Sequence, residues 1–166
     1  MSSPAIVTIA TPLGPVEIQG GEEGVSAVRF VPSAADPPAG NGVSPESPLP
    51  GPVRQAALQL GEYLAGQRQV FDFPLDLQGT PFQVAVWNCL LTIPYGETRS
   101  YAWVARAVGR PGAARAVGRA VGQNPVAIVV PCHRIIASDG TLGGYTGGLD
   151  VKRFLLRLEG LEDQVR

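Results

Sequence analysis

Apolar and polar residues alternate along the first thirty positions, and a helical spacing takes over from about residue 53. Ile6 with Thr8, and Val16 with Ile18, sit beside "TPLGP" and "GGEEG"; these turn signals mark residues 5–30 as short strands. "VRQAALQLGEYLAG" is spaced as an amphipathic helix ending at Gly66, and "VFDFPLDL" reads as another strand. "TPFQ" opens the next helix, with Thr80 as cap, Pro81 at the first helical position and Gln83 three residues on. In "PFQVAVWNCLLTI", Phe82, Ala85, Val86, Cys89 and Leu90 recur on one face. Cys89 is therefore expected among core positions, as a small buried hydrophobe rather than a nucleophile.

"RSYAWVARAVGRPGAARAVGRAVGQNP" predicts helix, tight Gly/Pro turn, helix, with Ser100 capping the first. In the second helix Ala113, Ala116, Val117, Ala120 and Val121 form the inner face, and Arg115 and Arg119 project from the opposite one. That is the pattern of a helix-turn-helix, and equally of an ordinary helical hairpin with solvated arginines. Ala127–Val130 reads as a buried strand running into Pro131. In "LDVKRFLLRLEGLED", Val151, Phe154, Leu155 and Leu158 make the inner stripe of a last helix, and Gly160 its C-cap.

These elements predict an α/β (α+β) chain. A strand-rich N-terminal α/β domain occupies 1–77, and a mostly helical C-terminal domain with the helix-turn-helix occupies 80–166. A Pro/Gly-rich loop is expected at about 31–52. Residues 32–52 hold seven prolines and three glycines, which exclude a helix or an inner strand.

Composition narrows the chemistry. Two cysteines and one histidine, in 166 residues, fall short of a four-ligand zinc site, so no metal is expected. Two cysteines make no disulfide framework, which suits a reducing cytoplasm, and neither a secretory signal nor a membrane span is evident. The net charge of −1 gives no hint of nucleic acid, but its distribution does. Thr98–Ser138 contains no Asp or Glu and carries Arg99, Arg106, Arg110, Arg115, Arg119 and Arg134. Local positive potential decides where a polyanion docks.

"NPVAIVVPCHRIIASDG" places Cys132 beside His133, the only histidine. A thiol becomes a strong nucleophile as the thiolate, which a basic region, an imidazole base and an orienting carboxylate all favour. Adjacent residues point apart, so Cys132 and His133 need not touch; a bridging water can relay the proton between them. Glu159 is the best candidate carboxylate. It lies on the inner edge of a helix C-terminus, where the helix dipole disfavours it and a partner is expected. A Cys-His pair alone is a weak signal; Pro131 sharpens it by stiffening the approach to the cysteine.

In order and spacing, "IPYGETRSY", "AARAVGRA", "NP", "PCHR", "GGYTGGL" and "LEG" over residues 80–160 closely resemble the O6-alkylguanine-DNA alkyltransferases (methylated-DNA–protein-cysteine methyltransferases). Before Thr80 the likeness is general. The resemblance implies DNA repair by a single-turnover transfer of an alkyl group from O6-alkylguanine to Cys132. His133 is then the water-mediated base and Glu159 its orienting partner, while Asn124 braces the turn that holds the cysteine. Arg115 enters the base stack as the damaged nucleotide flips out. Arg119, with Ala113, Ala114 and Gly118, lies against the DNA. Tyr101, Ile135, Tyr145 and Thr146 line the pocket; Tyr101 also meets the DNA at the 3′ phosphate of the flipped base and returns a proton to the leaving guanine. Thr146 stands where the family often has Ser. The resemblance implies double-stranded DNA with O6-alkylguanine as partner, O4-alkylthymine as a further candidate lesion, a monomer and no cofactor. Some relatives bind zinc in the N-terminal domain; this chain lacks the ligands.

Two other classes compete. A sensor or regulator would bind alkylated DNA without repairing it; sensors in the family lack the cysteine, and regulators add a metal-binding domain for which there is no room here. A cysteine hydrolase would need an oxyanion hole, for which "DGTLGGYTGGL" offers backbone donors.

Overall fold

The computed structural model describes residues 5–31, 49–145 and 147–161. The expected loop therefore lies, over 32–48, outside the described residues, as does Thr146. The chain divides into two compact units, Met1–Gln78 and Gly79–Arg166. The chain combines a small sheet in its first unit with a helix-rich second unit, the mixed class expected.

The first unit is a three-stranded antiparallel sheet in the order β1 (Ala5–Ile9), β2 (Val16–Gly21), β3 (Gly24–Phe30). Val7 pairs with Ile18, and Ile18 with Val28, so the apolar set of each strand lies on one face. Helix α1 (Gly51–Leu64) covers that face with Val53, Ala56, Leu60 and Tyr63. "VFDFPLDL" does not form the expected strand. It makes one parallel bridge, in which Val25 N donates to the Pro74 carbonyl (3.0 Å) and Asp76 N to the Val25 carbonyl (2.8 Å). Pro74 has no N–H with which to extend a ladder. Gly24 lets the segment approach; a Cβ there would stand 2.7 Å from the Leu75 carbonyl carbon.

In the second unit α2 (Pro81–Leu90) starts with the full capping box: Gln83 N donates to Thr80 Oγ1 (3.1 Å), and Thr80 N to Gln83 Oε1 (2.9 Å). Its buried face differs from the expected one. Val86, Trp87 and Leu90 are buried, Ala85 is exposed and Cys89 only half-buried. Trp87 sets the phase, because its large ring is buried and its Nε1–H donates to the Ala120 carbonyl at 2.8 Å.

A two-residue strand, β4 (Arg99–Ser100), leads into α3 (Tyr101–Ala107), whose cap Ser100 accepts from Trp103 N at 3.1 Å. A Gly109–Gly112 turn joins it to α4 (Ala114–Gly122). Val117, Ala120 and Val121 are buried towards α2 and α3; Ala113 and Ala116 are half-buried, and Arg115 and Arg119 exposed. Strand β5 (Ile135–Ile136) pairs in parallel with β4. Helix α5 (Leu149–Leu158) buries Lys152, Leu155 and Leu156, and Glu159 follows as its buried C-cap. Val151, Phe154 and Leu158 are only half-buried, so the inner stripe is displaced by one residue from the expected phase. Two charged side chains occupy it because partners satisfy both, as described below. No described helix is long and apolar enough to cross a membrane.

Candidate functional site

The expected strand at Ala127–Val130 is instead a run of tight turns. Val129 N bonds to the Ala127 carbonyl (2.8 Å) across Ile128, whose φ is +72°. A β-branched residue in the left-handed region costs about 1–3 kcal/mol and persists only where its surroundings impose it. Two devices impose it here. Asn124 Nδ2 donates to the Val130 carbonyl (2.9 Å), while its Oδ1 accepts from Val126 N (2.9 Å). Pro131 (φ −81°, ψ 63°) forms an inverse γ-turn, in which Cys132 N bonds to the Val130 carbonyl at 2.7 Å. An extended strand would aim its side chains alternately to two faces; this turn delivers one side chain, Cys132, to one place.

That place is the wall of a cavity of about 450 Å³. Tyr101, Gly144, Tyr145 and, from α4, Gly118, Val121 and Gly122 line it with Cys132. Gly118, expected against DNA, thus faces the pocket. Ile135, expected in the pocket, is not on its wall; it is wholly buried in β5. Gly143 (φ +70°) lies against Tyr101, where an added Cβ would stand 2.7 Å from the phenol oxygen. Burial pushes the Tyr101 hydroxyl up, against a hydrogen bond to the Gly144 backbone.

Cys132 is 2% exposed. Burial pushes its thiol up, while hydrogen bonds from Asn124 and Tyr145 and the charge of Lys152 pull it down. The resting group is the thiol, and thiolate must be made on demand. Cys89 is half-buried in α2, and burial raises its thiol with nothing opposing.

Behind Cys132 a single 3₁₀ turn, Cys132–Arg134, carries His133 inward, where it is fully buried. Its Nε2 lies 2.7 Å from Glu159 Oε2. Burial pushes the imidazole down, outweighing the pull of Glu159, so the ring is neutral near pH 7. An ionised carboxylate only accepts, so Nε2 carries the proton and Nδ1 keeps the lone pair of a base.

Glu159 finds the partner its position demands, and more than one. Arg134 grips it with two nitrogens, Nε to Oε1 at 2.8 Å and Nη2 to Oε2 at 3.0 Å. Gly96 N donates to Oε1 at 3.2 Å. Burial alone would raise this carboxyl; the donors outweigh it and hold it at about 2. Arg134 also donates to the Ile93 carbonyl (2.7 Å) and stacks over Tyr95. "IPYG" is thus a cradle for the ion pair.

In sequence Arg134 belongs to the basic stretch. It is 7% exposed and neutralised, so it leaves that surface, where Arg106, Arg110, Arg115 and Arg119 remain exposed. Sequence reasoning also missed Lys152. It is wholly buried, and its Nζ donates to the carbonyls of Ile135 (2.6 Å), Leu142 and Gly144 (3.1 Å). Phasing the last helix on Glu159 instead of Val151 would have turned Lys152 inward.

Two family models match the chain: the 6-O-methylguanine DNA methyltransferase ribonuclease-like domain over residues 7–77, and the DNA-binding domain of the same family over 81–161. A Mycobacterium tuberculosis protein named methylated-DNA–protein-cysteine methyltransferase is 49% identical over 152 residues, 92% of this chain and 90% of that protein. One of the same name from Methanosarcina acetivorans is 46% identical over 150 residues, 90% and 94% of the two chains. The crystal structure of the M. tuberculosis O6-methylguanine methyltransferase superposes with a TM-score of 0.79 at 44% identity, covering 98% of this chain and 95% of that one. The structure of the M. tuberculosis protein in complex with DNA gives 0.80 at 46%, covering 96% and 94%.

Proposed function

This chain belongs to the 6-O-methylguanine DNA methyltransferase family, and on that premise we propose that it repairs O6-alkylguanine in double-stranded DNA by moving the alkyl group irreversibly onto Cys132. The observation that carries the assignment to Cys132 is its delivery, by the Asn124-braced turn, into the wall of the pocket directly ahead of the His133–Glu159 pair.

The thiol proton passes through a water to the His133 Nδ1 lone pair, and Glu159 stabilises the imidazolium that results. The thiolate attacks the alkyl carbon; the S–C bond forms, the C–O6 bond breaks, and the electron pair stays with guanine. Tyr101 supplies the proton that neutralises the guanine and recovers it from solvent, as His133 loses its own there. The expulsion is direct displacement at carbon, so no metal or cofactor is needed.

O6 of a stacked guanine cannot present its alkyl group to a recessed thiol, so the nucleotide is flipped into the cavity at a cost of a few kcal/mol. Arg115, exposed on α4, fills the vacated stack; Arg119 on the same face pairs with phosphate. Ala113 and Ala114, small and half-buried at the start of α4, let the duplex backbone come close. Tyr145, with Thr146, closes over the base. Residues 1–77 and 80–166 act as two domains, the second holding both the DNA surface and the acceptor. The protein works as a monomer in the reducing cytoplasm, where the thiol stays free.

The test is peptide mapping after reaction with DNA containing methyl-labelled O6-methylguanine. The label belongs on Cys132, Cys132→Ala abolishes transfer while keeping fold and DNA binding, and Cys89→Ala leaves transfer intact. Label on Cys89 would overturn the assignment.

A further inference from the structure

Lys152 is the only lysine in a chain whose other twelve basic side chains are arginine, and it is wholly buried. Among the described residues no carboxylate lies within ion-pair distance of it. Its three acceptors are all backbone carbonyls: Ile135, three residues beyond Cys132, then Leu142 and, on the cavity wall, Gly144. A compact ammonium offers three tetrahedral donors and suits that cage; a planar guanidinium does not. Burying a cation without a counter-charge is costly, so such a charge is kept only where something repays it.

Resting on the alkyltransferase reading, we propose that Lys152 is a positioning residue for alkyl transfer: its ammonium ties the Cys132 turn to the 142–144 wall and serves as the counter-charge of the Cys132 thiolate. The groups around it are consistent with that role. Cys132 is the one ionisable group whose charge favours its protonated form, and Lys152 in turn favours the thiolate. His133 is pushed down by Lys152, which keeps the imidazole free to act as a base. Glu159 is committed to His133 and Arg134, and Tyr101 and Tyr145 flank the thiol from the cavity side. Burial lowers Lys152 itself to about 8, so its charge is sensitive to its neighbours near neutral pH.

The role is confined to the transfer step. At rest Cys132 is a neutral thiol, and Lys152 meets an opposite charge only as the thiolate forms; alkylation leaves a thioether that cannot ionise and so ends the pairing.

The thiolate available at pH 7 is read from the rate at which iodoacetamide alkylates Cys132, in Cys89→Ala with Lys152 present and in Cys89→Ala/Lys152→Met. The rate should fall without the lysine, and the gap should close above about pH 8, where Lys152 loses its own charge; equal rates at pH 7 overturn the counter-charge role. On the kinetic side, Lys152→Met should slow transfer at pH 7 by at least about tenfold, the cost of one pKa unit in the thiol. Raising pH should recover the rate, and Lys152→Arg should restore charge without full rate. Equal loss at every pH would reduce Lys152 to a structural residue. Should Lys152→Met not fold, Lys152→Gln takes its place in both measurements. A wild-type protein that transfers no methyl group at all would sink the alkyltransferase reading alone, because the reaction with iodoacetamide does not depend on DNA.

Discussion

Glu159→Gln removes a charge and keeps the shape. Glu159 is held at about 2 against an ordinary 4.5: burial would raise it, but His133 and the two nitrogens of Arg134 outweigh that. At about 1.4 kcal/mol for each tenfold change in proton affinity, that displacement is worth about 3 kcal/mol. A depressed carboxyl stabilises the fold above its unfolded pKa, so the contribution is complete above about pH 4.5. It fades as pH falls towards 2. Glu159→Gln should therefore be less stable than wild type by about 3 kcal/mol at pH 7, with Arg134 left buried beside a neutral amide. The gap should close as the wild type is acidified. Urea unfolding at pH 7, 4 and 2.5 measures this. Transfer should slow by about a hundredfold at pH 7, the scale of a lost general base, and recover in part at pH 9 as thiolate forms unaided. A variant as stable as wild type at pH 7, or one that transfers at the wild-type rate, would refute Glu159 as the anchor of the site.

Arg115→Ala should slow repair of duplex DNA far more than reaction with the free base, because only the duplex requires extrusion; equal effects in a single-turnover assay would remove the flipping role. Arg119→Ala should weaken binding and flatten its dependence on salt by about one phosphate contact, read from affinity against log salt. Asn124→Ala removes the bond that spans the turn to the Val130 carbonyl and the local one from Val126 N, so it should destabilise the second unit by about 1–3 kcal/mol and slow transfer, with DNA affinity kept. Unchanged thermal unfolding and rate would show that the turn holds without it.

What could be read from sequence was what depends on near neighbours. The Thr80–Gln83 capping box spans three residues, Ser100 caps its own helix, and the outward face of Arg115 and Arg119 follows from the helical period. Glu159 was legible as a group needing a partner, because the dipole argument is local. Its second partner was not. Nothing in the sequence distance from Arg134 to Glu159 announces an ion pair, so Arg134 read as one more surface charge. Lys152 was hidden likewise: "VKRF" looks like a solvated face until the cage of carbonyls from 135, 142 and 144 is in view. The run Ala127–Val130 has the composition of a buried strand, and only the bonds across it, from Asn124 and around Pro131, turn it into the bend that seats Cys132. At "VFDFPLDL" the residues are β-prone, but Pro74 stops the ladder.

The central claim is that Cys132 accepts one alkyl group and is never regenerated. A thioether offers no carbonyl for water to attack, and the His133–Glu159 pair governs the rate of the event rather than its extent. The direct measurement is a titration of excess O6-methylguanine DNA with limiting protein, followed to completion, with intact mass read on the protein. Methyl groups removed should equal protein chains added, each chain gaining one methyl group on Cys132. Several methyl groups removed per chain, with the protein's mass unchanged, would contradict the account and make this a turnover enzyme.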